Sequence, residues 1–271
     1  MLDKQEIEID EHNYKRRLEL ALQNVKRSSA FSEKNKKAIL SFCDRCFADK
    51  LSVERVEHYA RILKKIAELF KKDFEDATKS DIVELVRKIE SPELSAWTKH
   101  DYRVALRKFY KWLRNSEDYP LEVSWIKVSV GNGNRIIPEE LLTEKEIEKL
   151  IVTSSDFQMK AIVAVLWETG FRIGELLNLR IKHIESEDKL AKLIVKGKTG
   201  MRRVIMVLSW PYLMQWLNLH PFKDDNSAPL WVKRSGKPMK YVDVRKRLQI
   251  LARRSKIKKP VNPHMFRHSA R

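Results

Sequence analysis

Cysteine is almost absent from this 271-residue chain: Cys43 and Cys46 are the only two, too few for a disulfide framework. Glycine (7) and proline (9) are scarce as well, which excludes collagen-like and low-complexity chains. No window approaches the roughly 18 uninterrupted apolar residues of a membrane-spanning helix. Residues 1–11 are acidic where a signal peptide is basic and then apolar. A soluble, intracellular protein is the expectation. Glycine-rich phosphate loops, dinucleotide-binding glycine turns and GxSxG elbows are missing, so nucleotide hydrolysis and serine-hydrolase chemistry have no support. Acidic residues nearly vanish from residues 231–271, where 14 basic side chains face Asp243 alone.

What is present is a composition able to bury a core, 43% apolar with 34% charged, and a formal charge of +18. The length suits two modest domains better than one. Residues 1–120 hold 26 basic against 22 acidic side chains, so most of the excess lies in the last 41 residues. A solubilising tail is one reading. Leu230, Trp231, Val232, Tyr241, Val244, Leu248, Ile250 and Leu251 make that stretch apolar enough to fold, and a folded basic face is the footprint of phosphate-backbone binding. Nucleic acid is the leading partner and an anionic membrane the second.

Residues 1–116 read as helices only. Periodic stretches cover 16–26, a helix capped by Ser32 with Ala38, Ile39, Phe42, Cys43, Cys46 and Phe47 inward, and one opened by Ser52 that runs to Phe70. Thr78 with Asp81 starts a fourth, and 97–113 forms a fifth with Tyr102, Leu106, Phe109, Tyr110 and Leu113 inward. From 116 to 142 the pattern lapses, with Pro120, Gly131, Gly133 and Pro138, and 118–137 is the expected linker. Thr143 with Glu146 makes a capping box. Asp156 precedes the apolar run 162–167, which Gly170 can stop, and 172–179 follows as a short helix. Residues 192–196 and 202–208 are β-branched runs expected to form a hairpin with a basic tip. The remainder reads as helical.

Cys43 and Cys46 lie on an apolar helix face with no second pair, so core packing is preferred over zinc. His264 and His268 stand four apart, but Met265, Phe266 and Arg267 between them supply no acid, so this is not a zinc-protease motif. More informative is Gly170-Phe171-Arg172-Ile173-Gly174-Glu175, which sets an arginine directly after a helix stop. Alone, Arg172 paired with Glu175 reads as an ordinary helix start. A second arginine in His264-Met265-Phe266-Arg267 changes this, because His and Arg three apart project to one side of a helix. With Lys198 at the hairpin tip, two guanidiniums, an imidazole and an ammonium suit a single phosphodiester.

The boxes TGFRIGELLNL, VKGKTGMRRVIMV and HMFRHS, in this order, resemble those of the tyrosine recombinase (phage integrase) family. The resemblance implies a mainly α protein: an N-terminal helical core-binding (SAM-like) domain over 14–117, then an α+β catalytic domain with a small antiparallel sheet over 138–271. By this likeness Arg172, Lys198, His264 and Arg267 are catalytic and Glu175 supports Arg172. Lys196 competes for the lysine role, since both lysines flank Gly197; Lys198 is preferred because it leaves Arg203 in register. In the family such residues clamp the scissile phosphate while a tyrosine attacks it, giving a 3'-phosphotyrosine, without metal, ATP or other cofactor. Double-stranded DNA is the implied partner, with self-association into a tetrameric synapse and a cytoplasmic, nucleoid-associated location; no membrane or nucleotide is implied. Candidate DNA contacts are Lys196, Arg202, Arg203, Lys233, Arg234, Lys240, Arg245, Arg247, Arg253 and Arg254.

The sequence departs from the pattern at one point. The family's nucleophilic tyrosine follows the HxxR box by a few tens of residues. Here all seven tyrosines (Tyr14, Tyr59, Tyr102, Tyr110, Tyr119, Tyr212 and Tyr241) precede it, and the sequence stops four residues after Arg267. The expectation is a C-terminally truncated member, with no nucleophile of its own, that binds DNA without cleaving it. A disrupted gene, an incomplete chain and a tyrosine supplied in trans remain open. So does a non-catalytic DNA-binding regulator that keeps the fold, and so does RNA or polyanion binding by the basic tail.

Overall fold

The computed structural model describes residues 13–129, 138–187, 189–197 and 200–270, which form two compact units, 13–129 and 138–270. Among the described residues there are eleven α-helices and one three-stranded sheet. None of these helices is long and apolar enough to cross a membrane.

The first unit is helical throughout: α1 (Tyr14–Arg27), α2 (Glu33–Ala48), α3 (Val53–Phe70), α4 (Lys79–Ile89) and α5 (Ala96–Leu113). Side-chain oxygens start four of the five. Ser32 accepts the Asn35 N–H, Ser52 that of Arg55 and Ser95 that of Thr98, while Thr78 and Asp81 form a reciprocal capping box. The apolar stripes meet in a core centred on Phe42, Phe74 and Phe109, with ring centroids 5.4 Å apart for Phe42–Phe109 and 4.9 Å for Phe74–Phe109. Cys43 and Cys46 are buried, unbonded thiols of this core, and burial pushes the Cys43 thiol up to about 12. Phe47, expected inward, is 40% exposed, because Cys46 takes the inward position on the last turn of α2.

The segment 118–129, expected as linker, folds onto this unit as far as it is described. Its apolar residues explain why: Val123 and Ile126 are buried in the first core, and Glu122 accepts from Arg114 Nε at 3.0 Å. Buried Asn35 fastens α2 to the α3–α4 connection. Its Nδ2 donates to the Lys72 carbonyl at 2.8 Å, and its Oδ1 accepts the Phe74 N–H at 2.8 Å.

The second unit is built around α7 (Phe157–Thr169), whose residues Ala161 to Leu166 are buried on every side. Around it lie α6 (Glu144–Thr153), α8 (Ile173–Leu177), α9 (Trp210–Asn218), α10 (Tyr241–Arg254) and α11 (Pro263–Ser269). The sheet runs β1 (Ile184–Glu187), β2 (Leu190–Gly197), β3 (Gly200–Met206) in antiparallel order. β1 was not expected, since Ile-Glu-Ser-Glu carries no apolar alternation; it is an edge strand held by β2. Between α9 and α10, where helix was expected, the chain is irregular. It is held by isolated bridges (Arg180 with Pro229, Val232 with Pro238) and by buried Trp231, whose Nε1 donates to the Leu176 carbonyl at 2.8 Å.

β3 stops at Met206, two residues short of the expected 208, because Glu168 captures the next three amides. Its carboxylate accepts the N–H of Val207 (2.8 Å), Leu208 (3.0 Å) and Ser209 (2.7 Å), and the Ser209 hydroxyl as well. Burial alone would raise the Glu168 carboxyl, but the Ser209 hydroxyl and the three amides outweigh it and hold the group below the ordinary glutamate range. One side chain at the end of α7 thereby fixes the exit of the sheet.

Two outcomes are expected. Asn35→Ala leaves a buried amide and a carbonyl unpaired and should lower stability by about 2–3 kcal/mol in urea unfolding, with the slope unchanged. Glu168→Gln should cost about 1–3 kcal/mol near neutral pH. A folded-state pKa below the unfolded one stabilises above the unfolded value and loses that contribution as pH falls through the folded value. Wild type and variant should therefore converge progressively as pH drops below about 4.5; a gap that does not narrow as pH falls, by unfolding midpoints, would refute the ionic account.

Candidate functional site

Gly170 ends α7 in the left-handed region, at φ +58°, and its N–H donates to the Leu166 carbonyl. A Cβ there would be strained and would sit 3.1 Å from the Ala270 Cβ on the α11 side. The turn at Gly170 hands the chain straight to Phe171, fully buried, and Arg172, the first residue before α8.

Glu175 is the anchor of this region, with only 5% of its side chain exposed. It accepts the Arg172 N–H at 2.9 Å through Oε2 and Arg172 Nη1 at 3.2 Å through Oε1, closing the first turn of α8. Oε2 also accepts Arg202 Nη2 at 3.0 Å. Arg202 lies on β3 directly opposite Val195, with Val204 and Met206 on the same, covered face of the sheet. Its guanidinium stands 5.5 Å from the centroid of the Phe171 ring.

α11 brings the other pair. Asn262 Oδ1 accepts the N–H of His264 (3.0 Å) and Met265 (3.2 Å), and Pro263 occupies the first turn. Met265 and Phe266 are buried, which turns His264, Arg267 and His268 outward. Arg267 Nη1 donates to the Gly170 carbonyl at 2.7 Å. Ser269 Oγ accepts the Leu142 N–H at 2.9 Å, and Lys259 Nζ reaches Glu146 at 3.0 Å, so both ends of the box are tied to the start of α6.

Three consecutive residues thus organise three cations. Gly170 holds Arg267 by its carbonyl, Phe171 underlies Arg202, and Arg172 shares Glu175 with Arg202. Of the expected pocket, Arg172 meets Glu175, and Arg267 reaches the Gly170 carbonyl two residues before Arg172, with His264 three residues from Arg267 on the same exposed side. Lys198 lies outside the described residues, as does the side chain of Lys196. The two residues 198 and 199 join β2 to β3 between the paired Gly197 and Gly200.

The remaining candidates separate by their partners. Arg203 pairs with Ile194 on the opposite face of the sheet from Arg202. Lys233 Nζ is 2.7 Å from Asp243 Oδ2, and the same oxygen accepts the Lys240 N–H at 2.9 Å to cap α10. Arg247, another expected DNA contact, is also used within the fold. It is ion-paired with Asp156 and donates to Gln158 Oε1 at 2.8 Å, joining α10 to the start of α7. Burial lowers its guanidinium. Arg234, Arg245, Arg253 and Arg254 are exposed, and Arg234 and Arg254 line a recess of about 240 Å³ with Ser154 and Ser155. Sequence reasoning missed the joint role of Glu175 and Arg202. Strict alternation along β3 could have put Arg202 and Arg203 on opposite faces; nothing local could have identified Glu168.

Comparison with known proteins identifies the family of both units. The phage integrase family profile matches residues 140–271, and that of the phage integrase N-terminal SAM-like domain matches residues 47–117. Tyrosine recombinase XerH of Campylobacter jejuni is 26% identical over 204 residues, 69% of this chain and 57% of that protein. Tyrosine recombinase XerC of Escherichia coli is 26% identical over 169 residues, 61% of this chain and 56% of that protein. The matches span little more than half the length of these relatives. A crystal structure of the XerH site-specific recombinase bound to palindromic difH substrate shares the fold, with a TM-score of 0.64 at 20% identity over 97% of this chain and 85% of that one. With both of its units matched in order, the chain belongs to the tyrosine recombinase (phage integrase) family.

Proposed function

We propose that this chain binds double-stranded DNA and that Arg172, Arg267, His264 and Lys198, with Glu175 behind Arg172, hold one phosphodiester for site-specific strand cleavage and rejoining. The observation that carries the reading is the placement of Arg172 and Arg267 around Gly170, one by chain connection and the other by its 2.7 Å hydrogen bond to the Gly170 carbonyl. Two forked donors there can each grip non-bridging oxygens and offset the charge that builds on a pentacovalent phosphorus. His264 and Lys198 would manage protons, the lysine delivering one to the leaving 5'-oxygen. Related structures, such as the XerH complex with difH and a lambda integrase dimer on a core site, support DNA as the ligand. The reading carries with it assembly of several copies on DNA and a place beside the chromosome in the cytoplasm.

The attacking group is a separate matter. Tyr110 is buried, with its hydroxyl donating to the Phe74 carbonyl at 3.2 Å, and burial raises it above the ordinary tyrosine range. Tyr212 and Tyr241 pack half-buried against the core of the second unit. None of the seven tyrosines follows Arg267. The proposed role of these 271 residues is to bind the phosphate, and none of their tyrosines is assigned the attack.

Binding of duplex DNA should weaken by about a hundredfold or more between roughly 50 and 200 mM salt. Arg172→Ala or Arg267→Ala should each reduce the salt slope by about 0.9, the share of one phosphate contact. A library of nicked duplexes should give no SDS-resistant adduct with the 271-residue chain, and should give one when a C-terminal extension carrying a tyrosine is added. Equal displacement by heparin and by duplex at raised salt would refute specific DNA binding. An extended protein that binds but never cleaves would favour the binding-only regulator.

A further inference from the structure

Glu175 is a nearly buried carboxylate with two guanidiniums on it, and that stoichiometry has a consequence. A single carboxylate facing Arg172 alone would cancel the charge that Arg172 brings to a phosphate. With Arg202 on the same oxygen that accepts the Arg172 N–H, the cluster of two arginines and one glutamate keeps one net positive charge. Arg202 is well placed for this. Its Nη2 is on Glu175 at 3.0 Å, its guanidinium is beside the Phe171 ring, and the register of β3 fixes its side. Arg172 meets Glu175 more loosely, at 3.2 Å through Nη1, and its side chain remains 53% exposed.

We infer that Arg202 is a positioning residue: it neutralises Glu175 so that the Arg172 guanidinium is available to a phosphate, and it ties the β2–β3 hairpin to the start of α8. This rests on the proposed phosphate pocket and deepens it. Arg202 touches no phosphate itself. Without it, Glu175 holds Arg172 as a closed ion pair, which an incoming phosphate must break. A charged partner such as Lys can substitute; a neutral one cannot.

The test is a double-mutant cycle on the full 271-residue chain, read as the affinity for a duplex oligonucleotide and its salt slope. Arg202→Gln should weaken binding about tenfold and lower the slope by about 0.9, because the Arg172 contact is lost. In a Glu175→Gln background, where no carboxylate competes for Arg172, the same change should cost less than about twofold. Arg202→Lys should stay within about threefold of wild type. Equal losses in both backgrounds would overturn the inference and make Arg202 a direct phosphate ligand. An Arg202→Gln loss with an unchanged slope, or an Arg202→Lys as weak as Arg202→Gln, would overturn it in favour of a purely structural role. Failure of the wild-type chain to bind duplex would overturn the pocket and this pairing together, whereas binding with equal losses removes only the pairing.

Discussion

Guanidiniums repel one another, yet the second unit sets two of them, Arg172 and Arg202, on one carboxylate and a third, Arg267, on the Gly170 carbonyl two residues before Arg172. Two unit charges about 4 Å apart interact by about 4 kcal/mol at the effective dielectric near a protein surface. Arg172, Arg202 and Arg267 are held near one turn because each has a fixed negative or polarisable partner: Glu175 for the first two, the Phe171 ring for the second, and the Gly170 carbonyl for the third. The buried glutamate is the sole full negative charge named in this set. Its burial is what makes it strong, since water cannot screen it, and its two guanidiniums are what make its burial tolerable.

That arrangement depends on a scaffold that is far less polar. α7 is surrounded by apolar residues, so its end is rigid, and Gly170 can turn the chain without the strain a side chain would bring. Glu168, two residues earlier, fixes the end of β3 through three amides, and β3 carries Arg202. Trp231 holds the Leu176 carbonyl near the end of α8, and Asn262 starts the helix α11 that carries Arg267 to the Gly170 carbonyl. Each support is a single well-partnered side chain on a different element, all converging on the ends of α7 and α8.

Much of this was legible in the sequence wherever the signal is local. Ser32, Ser52, Thr78, Thr143 and Asp156 announce helix starts because their partners lie two or three residues on. Arg172 with Glu175 and His264 with Arg267 are legible for the same reason. What escaped depends on partners far along the chain. Glu168 binds amides about 40 residues away, and no spacing rule reaches that far. Arg202 and Glu175, 27 residues apart, meet only once the sheet folds back on α8. The strand β1 was invisible because it is stabilised by pairing with β2 and not by its own apolar pattern. The expected linker failed at Val123 and Ile126, two apolar residues in a stretch judged by its prolines and glycines.

The charge count shows the same limit more sharply. Thirteen of the eighteen net charges fall in the last 41 residues, yet these cations do two different things. Lys233 and Arg247 are partnered by Asp243 and Asp156, so their charge is matched inside the fold and contributes to holding α10 in place. Arg234, Arg245, Arg253 and Arg254 are exposed, so their charge extends into solvent. α10 packs on α6 and α8, which connects the basic helix to the element that begins at Arg172. Around Glu175 two guanidiniums share one carboxylate, so their geometry is fixed while one positive charge is left over. Exposed charge acts at a distance but does not orient a partner, whereas donors fixed on a buried acid have a set direction.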